Sequence, residues 1–150
     1  MKFIIAIVIV VSLVVLMRFS MWDLRVVRGH SMEPTYSDGN VLLVRRHHTD
    51  TPSVGDVVVA LVVHNDVPSA VVKRVAAVPG DTVEVTEHAV IVNGETVEEM
   101  LNPCGEARTC VLKEDEYFLL GDNAEDSVDS RVVGPYNAVQ ISGIVVRKIL

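Results

Sequence analysis

Residues 70–81 read Ala70-Val71-Val72-Lys73-Arg74-Val75-Ala76-Ala77-Val78-Pro79-Gly80-Asp81. Valine suits a half-buried pleated surface, and Pro-Gly-Asp closes the run with turn chemistry, so a strand is predicted over Ala70–Val78. The same pattern extends outward in both directions as short valine-rich runs broken by Gly, Pro, Asn and Asp. Strands are expected at Asp23–Arg28, Asn40–Arg46, Asp56–His64, Thr82–Thr86, Ala89–Val92, Glu116–Leu120 and Val139–Lys148. Turn signals separate them at Ser37-Asp38-Gly39, Pro52-Ser53-Val54-Gly55 and Asn93-Gly94, the last a hairpin turn because Asn-Gly readily takes positive φ. No amphipathic helix and no internal repeat stands out. The expected fold is mainly β, a compact antiparallel, barrel-like sheet.

Lys73 is the chemically unusual residue of that strand. Valine and alanine on both sides could hold its amine out of water and lower its pKa, although a lysine near a strand end is usually solvated. A neutral amine can serve as a base, and a base needs a nucleophile. Ser31, within Gly29-His30-Ser31-Met32-Glu33-Pro34-Thr35-Tyr36, is the candidate; its hydroxyl is weak unless a base lies within hydrogen-bond reach. Pro34 fixes a turn just beyond it. Taken alone, Ser31 reads as an ordinary turn serine.

A third stretch changes the balance. Gly121-Asp122-Asn123-Ala124-Glu125-Asp126-Ser127-Val128-Asp129-Ser130-Arg131 is too polar for a strand and too long for a plain hairpin, so it reads as an ordered functional loop. Within it Asp129 and Arg131 could pair, and Ser127 could offer an oxygen to the lysine amine.

Composition bounds these ideas. With 150 residues, 49% of them hydrophobic, the chain can bury one core and add a membrane segment, but cannot build two full domains. A net charge of -7 without a dense Lys/Arg cluster excludes a phosphate-tracking surface, so no nucleic-acid partner is expected. Cys104 and Cys110 are too few for a zinc site, and no metal or other cofactor is expected. They read as a disulfide worth roughly 2 kcal/mol, or as two unpaired thiols.

Phe3 to Met17 is apolar apart from Ser12, and Lys2 precedes it. At about 1.5 Å per residue the run reaches about 22 Å, so crossing a roughly 30 Å core requires Phe19–Trp22 as well, with Arg18 snorkelling. A cleaved secretory signal has the same outline, but no small residues occupy the paired positions that a cleavage site needs. The reading is an uncleaved transmembrane anchor over residues 1–22, followed by a β-rich domain over 23–150. The arginines after the span point charge counting toward the opposite orientation from the one adopted below.

Together these stretches resemble the bacterial type I signal peptidases, membrane-bound serine/lysine peptidases. Gly29–Tyr36 is similar to that family's nucleophile motif and Gly55–Val59 to its second. Lys73–Asp81 (KRVAAVPGD) is similar to its lysine motif and Gly121–Arg131 (GDNAEDSVDSR) to its last, all in the family's order. The resemblance implies that Ser31 attacks the scissile carbonyl while Lys73 acts as general base. It implies that Ser127 orients the amine, that Asp129, Arg131 and Asp122 brace the loop, and that Arg74 is structural. The Ser31 N–H would donate to the oxyanion. One family branch has a serine donor where this chain has Gly29, so a backbone N–H near Gly29 would replace it.

The resemblance also implies a cytoplasmic amino terminus, a catalytic domain on the outer face of the cell membrane, and residues 82–116 as a reduced cap. A Cys104–Cys110 disulfide agrees with that location. The implied partners are signal-peptide-bearing preproteins and the phospholipid bilayer, with the enzyme a monomer. Substrate would lie extended along a β edge and be cut after Ala-X-Ala. Met32 and Tyr36 would either dip into the bilayer interface or pack in the core. His30 is not expected to be the base, because neighbours on an extended segment face opposite ways. His47 and His48 read as a solvated loop. Alternatives are a specialised peptidase of the same family, a self-cleaving repressor-type protease, and a tethered β module that binds peptides without cutting them.

Overall fold

The computed structural model describes residues 3, 7, 9, 10, 12, 21–46, 51–64, 67–99 and 107–150. Among the described residues eleven strands run in chain order. They are β1 (Trp22–Val26), β2 (Val41–Arg46), β3 (Val57–His64), β4 (Val67–Ala77), β5 (Thr82–Val85), β6 (Ala89–Val92), β7 (Glu95–Glu99), β8 (Arg108–Val111), β9 (Glu116–Leu120), β10 (Tyr136–Asn137) and β11 (Ile141–Lys148). The longest described helix after β1 is one turn, Ser130–Val133.

Two antiparallel sheets result: a seven-stranded sheet ordered β1-β2-β11-β3-β4-β9-β10 and a four-stranded sheet ordered β7-β6-β5-β8. The expectation of a mainly β, antiparallel domain therefore holds. Valines on alternate positions supply the core. Val83, Val85, Val90 and Val92 turn the small sheet's inner face onto Phe118 and Leu120 of β9, while Val58, Val75 and Leu119 fill the large sheet. Alternation of this kind gives each strand one buried face and ties the two sheets through β9.

Several boundaries differ from expectation. Trp22, assigned to the end of the anchor, is the first residue of β1 and pairs with Arg45. The remainder of the predicted anchor, residues 1–21, falls mostly outside the described residues. Phe3, Ile7, Ile9 and Val10 are helical there and exposed, and among the described residues no helix is long and apolar enough to cross a membrane. Val139 belongs to a 3-10 turn, Ala138–Gln140, capped by Asn137, so β11 begins only at Ile141. β7, β8 and β10 were not anticipated. The Asn93-Gly94 hairpin is present, with Asn93 at φ 51° and Val92 facing Glu95 across it.

Candidate active site

Lys73 faces Val58 across the β3–β4 pair, and β4 gains its second neighbour, β9, only from Arg74 onward. The lysine thus sits where the strand passes from the open part of the sheet into its double-sided interior. Its side chain is 2% exposed, and its Nζ donates to Ser127 Oγ at 2.9 Å. Burial pulls the Lys73 pKa below its ordinary value of 10.5; Asp129 opposes this, and Arg131 adds to it.

The loop after β9 supplies the lysine's partner. Ser127 Oγ donates to Asp129 Oδ2 at 2.6 Å, and the Gly121 N–H donates to the same oxygen at 2.8 Å. Arg131 closes on Asp129 through Nε at 2.9 Å and Nη2 at 2.5 Å, with both side chains fully buried. A carboxylate held by a fixed guanidinium, a hydroxyl and a main-chain N–H has few other orientations open to it. The chain of contacts ends with the Ser127 oxygen presented to the amine.

Gly121 brings this network to Ser31. A Cβ at that position would lie 2.2 Å from Ser127 Oγ and 2.6 Å from the Ser31 carbonyl oxygen, so the approach requires glycine. The Asn123 N–H donates to that carbonyl at 3.0 Å, and Asn123 Nδ2 donates to the His30 carbonyl at 3.2 Å. The loop and the Ser31 turn are therefore fastened backbone to backbone.

The segment from His30 to Tyr36 is a succession of turns, with Glu33 N–H donating to the His30 carbonyl and Tyr36 N–H to that of Met32. This corrects the extended geometry used to set His30 aside. His30 is nonetheless occupied elsewhere: its Nδ1 meets Glu33 Oε1 at 3.0 Å, on an exposed surface, and that carboxylate raises its pKa. Met32 is buried at 1% exposure and Tyr36 packs against the Val27, Leu42 and Val44 cluster, so the core reading of Met32 is the right one. The Gly29 N–H donates to Asp38 Oδ1 at 2.8 Å, which removes it as an oxyanion donor. The Ser31 N–H, by contrast, donates to no described residue.

Asp122 was grouped with Asp129 and Arg131, yet its partner is Arg74, at 2.8 and 2.6 Å. Arg74 also donates to the Gly55 carbonyl at 2.9 Å and to Thr35 Oγ1 at 3.5 Å, joining the Ser31–Tyr36 turn, the β3 entry and the loop. Burial alone would raise the Asp122 pKa, but Arg74 and Thr35 hold it below its usual value. The Cys104–Cys110 pairing lies outside the described residues because Cys104 does; Cys110 is half-buried on β8 opposite Val83. His47 and His48 also lie outside them. No cluster able to hold a metal occurs among the described residues.

Beside Ser31 lies a cavity of about 590 Å³ whose walls are Leu24–Arg28 on one side and Pro68–Val72 on the other, with Ser31, Met32 and Val59 between. β1 is the sheet's edge strand, and β4 has no β9 partner before Arg74, so strand edges without a described neighbour flank the cavity. An extended peptide could complete hydrogen-bond ladders there.

The signature of the family described as signal peptidase, peptidase S26, matches residues 1–149. The chain belongs to this family. Signal peptidase I P of Bacillus subtilis subsp. natto is 33% identical over 141 residues, covering 84% of this chain and 75% of that protein. The probable signal peptidase I-1 of Synechocystis is 35% identical, covering 81% and 68%, and signal peptidase IB of Staphylococcus aureus is 34% identical, covering 78% and 72%. The crystal structure of a signal peptidase I from Enterococcus faecalis superposes with a TM-score of 0.50 at 23% identity, covering 63% of this chain and 97% of that one, a likeness of fold. The chain is thus a serine peptidase of the signal peptidase I kind.

Two contributors to the site had no signal in the sequence reading. Glu98 of β7 pairs with Arg131 at 3.1 Å, and Arg108 of β8 donates to the Ser130 and Arg131 carbonyls at 2.5 and 3.0 Å. Both come from the small sheet, in a stretch whose charges read as solvated surface.

Proposed function

We propose that this peptidase is a membrane-bound endopeptidase that removes amino-terminal signal peptides from exported preproteins, with Ser31 as nucleophile and Lys73 as general base. The observation that carries the reading is a buried lysine amine hydrogen-bonded to Ser127, on a loop that packs against the backbone of a serine lining a peptide-sized groove. Ser31 Oγ attacks the scissile carbonyl carbon and its proton passes to Lys73 Nζ. The oxyanion takes the Ser31 N–H. Collapse breaks the C–N bond, and Lys73 returns the proton to the leaving amine. Water then attacks the acyl ester and gives a proton to Lys73; the bond from the acyl carbon to Ser31 Oγ breaks, and Lys73 returns that proton to Ser31 Oγ, restoring the hydroxyl and the neutral amine.

A preprotein segment laid between β1 and Pro68–Val72 would be held mainly by main-chain hydrogen bonds. The buried Met32 and Val59 leave shallow space, which favours small side chains before the cut, as in Ala-X-Ala. The apolar run Phe3–Met17 and exposed Met21 and Trp22 beside β1 suit a single anchor; the family resemblance, against the charge count, supplies a cytoplasmic amino terminus with the β domain on the outer face.

The test is cleavage of an Ala-X-Ala preprotein by detergent-solubilised protein, read by product mass, with Ser31→Ala and Lys73→Ala alongside. Cleavage after the second alanine, lost in both variants, is the expected result. A substrate bound but left whole by wild type would move the chain to the tethered binding module, and cleavage by either variant would remove the dyad.

A further inference from the structure

The small sheet reaches the Ser127–Arg131 loop from both of its edges, β7 through Glu98 and β8 through Arg108. The way Glu98 gets there is unusual. Counting back from the hairpin, Val92 faces Glu95 and Ile91 faces Thr96, so a regular ladder would set Val97 opposite buried Val90 and leave Glu98 outside. A bulge intervenes, and it is Glu98 that faces Val90. Val97 is left 47% exposed while the Glu98 side chain is only 18% exposed. Turning a valine out and a carboxylate in runs against burial energetics, so the contact the carboxylate makes has to offset it.

We infer that Glu98 is a positioning residue for the reaction, anchoring Arg131 so that Asp129 and Ser127 hold the Lys73 amine in line. The inference rests on the Ser31–Lys73 reading above. Arg131 is fully buried and gripped on one side by Asp129 and on the other by Glu98 Oε1, while Arg108 pins the backbone from which it projects. With Glu98 gone, the guanidinium keeps one carboxylate and gains room on the side facing the cavity that Glu98 lines with Val97, Arg74 and Asp122. Asp129 would then be less completely neutralised beside Lys73. Arg131 lowers and Asp129 raises the Lys73 pKa, so a displaced Arg131 favours the ammonium form, which is no base.

This sign separates anchoring from simple charge loss, because deleting a nearby negative charge with nothing else moving would lower the Lys73 pKa. The chain has four lysines, Lys2, Lys73, Lys113 and Lys148, so full-length protein carrying ¹³C-lysine in detergent offers a short list of ε signals to titrate. Glu98→Ala is expected to raise the Lys73 midpoint by about one unit and cut kcat roughly tenfold at unchanged KM. Glu98→Gln, which keeps an acceptor for Arg131, is expected to retain the wild-type kcat. If Glu98→Ala melts early but keeps the wild-type kcat, or its Lys73 midpoint stays or falls, the pair is structural only and the inference fails. Should Glu98→Ala not fold, a tenfold kcat loss in Glu98→Gln overturns the anchoring. Wild-type protein that cleaves nothing defeats the dyad reading, and the Lys73 titration still decides the Glu98 coupling.

Discussion

Lys73 Nζ donates to Ser127 Oγ across 2.9 Å although 54 positions separate the two residues, and both side chains are buried. That contact fixes where the amine points. Ser127→Ala removes the acceptor while leaving the lysine buried, so kcat is expected to fall roughly ten- to a hundredfold with KM little changed. Steady-state kinetics on a preprotein check it; a variant that loses only KM would assign Ser127 to substrate binding instead.

Activity is expected to rise with pH through a midpoint below 10.5, since burial lowers the Lys73 pKa and only the free amine is a base. The same shift has a sign for stability. Between the lowered value and 10.5 the unfolded chain binds more protons at Lys73 than the folded one, so this group's contribution to stability grows as pH rises through that window and is constant below it. A rate profile that climbs only near 10.5 would show that burial is not what activates the amine.

Gly121→Ala would drive a methyl to 2.2 Å from Ser127 Oγ and 2.6 Å from the Ser31 carbonyl. Backbone cannot yield as a flexible side chain does, and overpacking of this kind costs about 1–3 kcal/mol. The expected phenotype is a lower melting temperature together with near-complete loss of cleavage, because both halves of the site are pushed apart. Wild-type turnover in this variant would mean that the two segments are less closely packed than described.

Asp129→Ala is expected to be the most destabilising of these substitutions. It strips the fully buried Arg131 of its bidentate partner and leaves Gly121 N–H and Ser127 Oγ without their acceptor. Breaking a buried pair on one side costs about 3–5 kcal/mol, and urea unfolding should register it as a shifted midpoint at unchanged slope. A shift under about 1 kcal/mol would mean that Glu98 alone satisfies Arg131.

Much of both sheets was legible because the strands are rich in valine or in aromatic and aliphatic residues and are bounded by Gly, Pro, Asn or Asp. β3, β6 and β9 fall within a residue of expectation for that reason. Glu95–Glu99 was missed because three glutamates in five residues look like surface, and its bulge breaks the alternation that marks a strand. Tyr136–Asn137 is too short for any period to show. At the site, Ser31, Lys73 and the loop residues drew attention through residue type and order. The roles of Gly29, Asp122 and Met32 depended on packing: which donor is already engaged, which arginine is within reach, and which side of a turn faces the core.

β4 carries valine or alanine at seven of its eleven positions, and its residues flanking the site are buried or half-buried on both faces. Hydrophobic pattern alone therefore says little about how it should align with β3, since a slip by one residue would bury much the same surface. What distinguishes the alignments is polar: Lys73 must meet Ser127 on one face and Arg74 must meet Asp122 on the other. A slip would strand both cations. The residues that ready the chemistry thus also act as the strand's index marks, and a chain that has lost them could be well folded by every bulk measure while its β4 sits one notch out of place.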